Sequence, residues 1–297
     1  MRIGLDVGGT KIEIVALDEA GVERLRRRVP TPAGDYAATI AAMADLVTAA
    51  EQELGQRCTV GIGTPGALSR ATGLIKNSNS LALNGRPLKQ DFEALLGREV
   101  RIANDANCFA LSEAVDGAGA RAGVVFGVIL GTGVGGGIAV NGRIVEGVNA
   151  IAGEWGHNPL PCGEEHGPAP RCKCGRLGCV EAYLSGPALE QQYLARTGRA
   201  LNAAQIVKAA DSADGEAEAC VSRYEARLAR ALSVVVNILD PDVIVLGGGM
   251  SNVARLYETV PKLWKPHVFS DRIDTRLVRN RHGESSGVRG AAWLWGA

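Results

Sequence analysis

Net charge is what this chain lacks. Over 297 residues, 32 Lys and Arg meet 32 Asp and Glu, for a formal balance of zero. A nucleic-acid or polybasic membrane partner requires a basic footprint. The densest basic run, RLRRR at Arg24–Arg28, reads as a solvated strand edge or loop. An apolar leader is also missing: MRIGLDVGG places an acid at Asp6, so no signal peptide is expected and the thiols should be reduced, in a cytoplasm. Low-complexity segments and linkers are absent. Ala122–Val140 runs 19 residues without a charge, but seven are glycine, which fits strand, turn and strand better than a membrane helix. Seven cysteines is an odd count and the C-x-C placement disfavours a disulfide framework, so Cys58, Cys108 and Cys220 read as buried thiols.

What is present is a repeated pattern in a chain longer than the roughly 100–200 residues of one domain, so two lobes are expected. Ile3–Asp6, Ile12–Leu17 and a stretch near Glu23–Val29 read as a three-stranded meander with a glycine turn. A helix over Tyr36–Leu54 follows, capped by Asp35 and stopped by Gly55. The segment VRIANDANCFALSEAVDG gives a strand ending at Ala103 and then a helix. GVVFGVILGTGVGGGIAVNGRIVEG restarts the meander, with an Asn141–Gly142 hairpin. Helices are expected at Glu181–Leu184, Pro187–Thr197 and Ala217–Asn237, and a short apolar helix closes the chain. The expected division is an N-terminal lobe over 1–116, joined by a returning helix at 283–297, and a C-terminal lobe over 117–282, with a cleft between them.

Three glycine turns carry chemistry. In LDVGGTK, Gly8 and Gly9 expose backbone N–H groups to a phosphate; Asp6 can hold Mg2+ through water, and Thr10 and Lys11 complete the turn. The Walker spacing is absent. In GTGVGGG a G-x-G-x-x-G pattern is present formally, but a strand follows it rather than a helix, so Thr132 and Gly133 read as a second phosphate clamp and not a dinucleotide fingerprint. Gly247, Gly248 and Gly249, after a buried strand, allow close approach of a flat group such as adenine. In NDAN, Asn104 and Asp105 both precede a helix, so one can cap it while the other takes a proton from a substrate hydroxyl; Asp105 is the candidate base.

The cysteines concentrate in CKCGRLGCVEAY. Cys172, Cys174 and Cys179 with one histidine make a closed four-ligand zinc site with no open position for catalysis. His157 is the expected fourth ligand and Cys162 the alternative. Glu154 and Glu181 flank the loop, and metal loss is expected to affect the substrate between these carboxylates far more than the nucleotide at the glycine turns.

Together the three glycine turns resemble the two phosphate motifs and the adenosine motif of the actin-like sugar kinases. LDVGGTK, ANDAN, GTGVGGG, AGEWGH and CKCGRLGCVE, in that order, resemble the signature set of the ROK family (repressors, open reading frames, kinases) across the whole chain. The resemblance implies an α/β, two-lobed actin-like ATPase (ribonuclease H-like) fold, each lobe a mixed sheet flanked by helices, with an inserted structural zinc loop. It implies ATP, Mg2+ and Zn2+ as cofactors, a hexose as substrate, and a homodimer. Gly66, Asn79, Asn104, Asp105, Glu154, His157 and Glu181 would line the sugar site, with His157 serving both zinc and sugar. AGEWGHNPLP and NILDPDVIVLGGGMSNV resemble the zinc-containing fructokinases, which implies fructose and its 6-phosphate; N-acetylglucosamine kinases stand second, with mannose and glucose as further options. The fructokinase pattern carries an aromatic near residue 82, where this chain has Ala82. A sugar-responsive regulator is the alternative of a different class. Such regulators carry an extra DNA-binding segment before the kinase region, and none is expected here.

Overall fold

The computed structural model describes residues 1–32, 34–78, 80–161 and 168–296. The chain opens with β1 (Arg2–Val7), β2 (Lys11–Leu17), β3 (Glu23–Pro30), α1 (Tyr36–Leu54) and β4 (Thr59–Thr64). A two-stranded hairpin, β5 (Ala67–Leu68) and β6 (Ile75–Lys76), leads to α2 (Leu88–Leu96), β7 (Arg101–Asn104) and α3 (Asp105–Val115). Next come β8 (Val124–Leu130), β9 (Val134–Val140), β10 (Arg143–Ile144), α4 (Glu181–Leu184), α5 (Gly186–Thr197), α6 (Ala203–Asp211) and α7 (Gly215–Leu239). The last elements are β11 (Val243–Gly247), α8 (Leu256–Leu263), β12 (Arg276–Arg279) and α9 (Ser286–Trp293).

The two five-stranded sheets have the orders β3-β2-β1-β4-β7 and β10-β9-β8-β11-β12. Each is a meander whose first strand is continued by two parallel neighbours, β4 and β7 in one case and β11 and β12 in the other. The duplication inferred from the glycine turns is therefore one of topology. Each sheet is mixed, as expected of the fold.

Two compact units result: Met1–Arg121 with Gly137–Gly153 and the tail from Glu284, and Ala122–Gly136 with Glu154–Gly283. Residues 137–153, expected in the C-terminal lobe, belong to the first unit. The reason is local packing. A Cβ on Gly137 would overlap the Ala106 carbonyl at the start of α3, so only glycine lets β9 come this close. Lys76 Nζ then donates to Asn149 O at 2.8 Å, and Arg70 pairs with Glu146 at 3.2 Å.

In the first unit, period-two alternation sends Ile12, Ile14 and Ala16 to one face of β2 and Val15 and Leu17 to the other. The first face is covered by α1 and α2 through Ile40, Met43, Val47 and Phe92. Asp35 caps α1, accepting from Ala38 N at 3.0 Å, and Gly55 ends it in the left-handed conformation. On the second face, Val288, Ala292 and Trp293 of α9 meet Leu111 of α3. Glycines at 4, 61 and 290 make that approach possible: added Cβ atoms would run into Val288 O, Ala291 O and Cys108 O respectively.

In the second unit α7 is the backbone of the helical layer. Its buried residues include Val221, Tyr224, Leu228, Leu232 and Val236, one face at helical spacing. The Tyr224 hydroxyl donates to Leu184 O at 2.9 Å and anchors α4. No helix among the described residues is long and apolar enough to cross a membrane, and the uncharged run Ala122–Val140 forms β8, a turn and β9.

Candidate active site

In the first unit the β1–β2 turn is closed by Gly8 N–H donating to Lys11 O at 3.0 Å. Thr31 braces it, donating from Oγ1 to Gly8 O at 2.7 Å and from its N–H to Thr10 O at 3.0 Å. A Cβ on Gly8 would stand 3.1 Å from Lys11 O, whereas Gly9 faces open space. The Lys11–Glu284 pair, 3.5 Å apart and largely exposed, adds little to stability. Asp6, on β1 before the turn, is pushed up to about 7, first by burial, then by the Asp105 and Glu13 carboxylates; Lys11 and Arg28 oppose the shift. Asp6 and Asp105 also raise the buried Cys108 thiol, after burial itself. Sequence reasoning placed the two acids on separate motifs; the fold brings their charges within reach of each other.

Asn104 is the cap of α3. Its Oδ1 accepts from Ala106 N at 2.9 Å, and Asp105 Oδ1 accepts from the same N–H at 2.7 Å. Asn104 Nδ2 donates to Gly66 O at 2.9 Å, so β4 and β7 present Gly66, Asn104 and Asp105 as one group. Gly66 needs to be glycine: its φ is +81°, and a Cβ would stand 2.7 Å from Ser78 N. Asn79 lies outside the described residues.

The adjoining segment shows a residue that sequence reasoning missed. Asn84 Oδ1 accepts from Ser78 N at 2.8 Å, while its Nδ2 donates to Ser78 O at 2.6 Å. One side chain thus fixes both polar groups of the backbone that packs on Gly66. Replacing Asn84 by alanine removes both bonds, each worth about 1 kcal/mol net, so on the sugar-site role that the family resemblance implies for Gly66 the sugar KM should rise about 5- to 10-fold. The KM of ATP and kcat should stay near wild type in steady-state assays. An unchanged sugar KM would show that Ser78 holds its place without the clamp.

In the second unit the GTG turn is tight, with Gly131 N–H donating to Gly133 O at 3.0 Å. It borders a cavity of about 570 Å3 whose walls include Leu130, Thr132, Pro187, Ala203, Val207 and Gly249. That is large enough for a nucleoside. Thr132 and Gly249 are therefore brought together, as their motifs suggest, while Gly133, Gly247 and Gly248 are not among the cavity's lining residues. Gly248 has φ +79°, and a Cβ there would stand 2.6 Å from the Leu130 carbonyl carbon. The wall formed by α5 and α6 was not foreseen. Its signal was the Asn202–Gln205 capping box, which starts α6. Glu190 of α5 holds that start in place, accepting from Ala203 N at 3.0 Å.

The loop that carries Cys172, Cys174 and Cys179 is folded around its cysteines. Arg171 and Leu177 form a bridge, and Cys172 N donates to Arg176 O at 2.8 Å, which turns the C-K-C-G segment back on itself. Ligand atoms of His157, Cys172, Cys174 and Cys179 all lie within 4.8 Å of one another. Cys174 Sγ and Cys179 Sγ are 3.6 Å apart, and Cys172 Sγ is 3.7 Å from His157 Nδ1. A tetrahedral site with metal–sulfur bonds of about 2.3 Å has edges of about 3.8 Å, so the donor set fits zinc. Arg176, through its backbone and then its side chain, lowers the exposed Cys174 thiol to about 6, while burial pushes Cys179 up to about 12. Nδ1 of His157 is the ring nitrogen turned to the cysteines. Cys162, the alternative ligand, lies outside the described residues.

Trp155 sets this histidine. It is buried against Phe126, edge to face at 5.9 Å, and its Nε1 donates to Gly135 O at 2.9 Å. Glu154 is exposed at the start of the same short turn, whereas Glu181 is buried and its carboxylate is engaged by protein donors. The pair of flanking carboxylates is therefore not equivalent.

A model described as the ROK family matches residues 2–297. The N-acetyl-D-glucosamine kinase of Salmonella gallinarum is 41% identical over 300 residues, covering 99% of each chain, and that of Aliivibrio salmonicida is 40% identical over 299, again 99% of each. Among solved structures, the ROK hexokinase of Thermus thermophilus superposes with a TM-score of 0.88 at 32% identity, covering 99% of this chain and 97% of the other. A ROK family glucokinase from Streptomyces griseus, solved with glucose and AMPPNP, gives 0.79 at 27% identity, covering 99% and 98%.

Proposed function

Because the chain belongs to the ROK family and is an ATP-dependent sugar kinase, we propose that its sugar is N-acetylglucosamine, phosphorylated on the primary hydroxyl. The observation that carries this is the 41% identity over 99% of the chain to an enzyme named for that sugar. The fructose expectation finds no support among these relatives, and the missing aromatic at Ala82 agrees.

In this reading the sugar hydroxyl gives its proton to Asp105 as the γ-phosphoryl group moves to the oxygen, and ADP departs. Asn104 and Gly66, joined by their hydrogen bond, hold the sugar beside the base; Asn79, Glu154, His157 and Glu181 supply the further contacts. Gly8 to Lys11 and Thr132–Gly133 take the phosphates, and the cavity bordered by Gly249 takes the adenosine. Mg2+ carried with ATP, near Asp6, would neutralise phosphate charge in the loose transition state. Zinc on His157, Cys172, Cys174 and Cys179 is structural, since all four positions are filled by protein. The chain works as a homodimer in a cytoplasm on this reading.

The test is an ATP-consumption panel over N-acetylglucosamine, N-acetylmannosamine, glucose, mannose and fructose. The expected result is the highest kcat/KM on N-acetylglucosamine. Clear preference for fructose or glucose would reassign the sugar while leaving the kinase chemistry intact.

A further inference from the structure

Glu181 begins α4, and its buried carboxylate draws partners from two separate segments. Oε2 accepts from Val134 N at 2.9 Å, at the end of the GTG turn. Gly133 sits so close that a Cβ there would stand 2.6 Å from the same oxygen. Oε1 faces the metal loop, 3.4 Å from Lys173 Nζ and 3.6 Å from Cys172 Sγ. Val134 is itself buried, so without Glu181 its N–H would be left unsatisfied in an apolar setting. The family resemblance makes Glu181 a sugar ligand only, which gives no account of the Oε2 bond.

We propose that Glu181 is a positioning residue for the nucleotide: it fixes the Gly131–Val134 turn in its phosphate-accepting shape and ties that shape to the metal loop. The proposal rests on reading that turn as a phosphate loop. A turn freed from Glu181 samples other shapes, and the nucleotide must then restrict it on binding, which weakens affinity. The effect should appear with no sugar present, where a sugar ligand could have no influence.

The experiment measures binding of a non-hydrolysable ATP analogue with Mg2+ by calorimetry, without sugar, alongside zinc content and melting temperature. Glu181→Ala should raise Kd about 10-fold or more, the consequence of losing a buried charge-assisted hydrogen bond. Glu181→Gln keeps a carbonyl oxygen that can accept from Val134 N–H and should bind nearly as wild type. Thr132→Val removes a hydroxyl from the turn and should weaken binding independently. Weakened Thr132→Val with unchanged Glu181→Ala overturns the proposal alone. Unchanged Thr132→Val overturns the phosphate-loop reading and the proposal with it. Should Glu181→Ala fail to fold, Glu181→Asp decides, because it keeps the charge but withdraws the oxygen from Val134; wild-type affinity in that variant overturns the proposal.

Discussion

Replacing Asp105 by asparagine is expected to lower kcat by at least about 100-fold, because the variant cannot accept the sugar proton. The fold should survive the change. Asn104 caps α3 in its own right, and an asparagine at 105 can still accept from Ala106 N–H through its carbonyl oxygen. Calorimetry should therefore show sugar and nucleotide still binding. A variant within threefold of wild-type turnover would remove Asp105 from the chemistry.

The same variant carries a second, opposite signature. Asp6 has a folded pKa of about 7 against 3.8 unfolded, with burial first and Asp105 second among the causes. A carboxyl raised in this way costs stability as pH rises. The penalty is absent below 3.8, where both states are protonated, and complete above about 7. Removing the Asp105 charge relieves part of it. The ligand-free variant should thus melt higher than wild type at pH 8, and the gap should narrow toward pH 4. Equal melting temperatures at pH 8 would mean that the two carboxylates do not interact.

Replacing Cys174 by serine should strip the zinc and raise the sugar KM by at least about 10-fold, since the ligand set closes the loop by binding energy that folding alone does not supply. His157 and the turn carrying Glu154 lie on one side of that loop and Glu181 on the other, with few large apolar residues between. Sequence alone suggested an effect on the sugar far larger than that on ATP. The structure keeps that order and gives the smaller effect a route, because Lys173 and Cys172 contact the carboxylate that holds Val134. The ATP KM should rise too, by a smaller factor. Elemental analysis and two kinetic constants decide the matter: stoichiometric zinc in the variant, or zinc loss with an unmoved sugar KM, would falsify the structural role.

The parts legible in the sequence were those whose cause is local. Glycine pairs at strand ends, the Asp35 and Gly55 boundaries of α1, and the spacing of Cys172, Cys174 and Cys179 each state their own geometry. Partnerships between distant residues were hidden. Nothing in the letters pairs Gly4 with Val288 or Gly137 with Ala106, because a glycine announces freedom of approach but not what approaches. For the same reason residues 137–153 were given to the wrong half of the chain. Glu181 was recognised as functional, yet its bond to Val134 joins positions 47 residues apart. The walls of the cavity beside the GTG turn escaped because nothing in the letters brings α5 and α6 to that turn.

Synthesis order gives the returning helix α9 a consequence of its own. The strands of the first sheet leave the ribosome early, but the face formed by Val15, Leu17 and Leu111 waits for Val288, Ala292 and Trp293. At about 5–20 residues per second, that apolar surface stays uncovered for many seconds while the second unit is being made. The second unit, whose last residue is Gly283, has all of its chain before the first does. The growing polypeptide therefore exposes a sticky β-surface until α9 has emerged. A chaperone that holds nascent chains would be expected to engage it there, and premature termination anywhere upstream of α9 should yield insoluble product rather than a shortened enzyme.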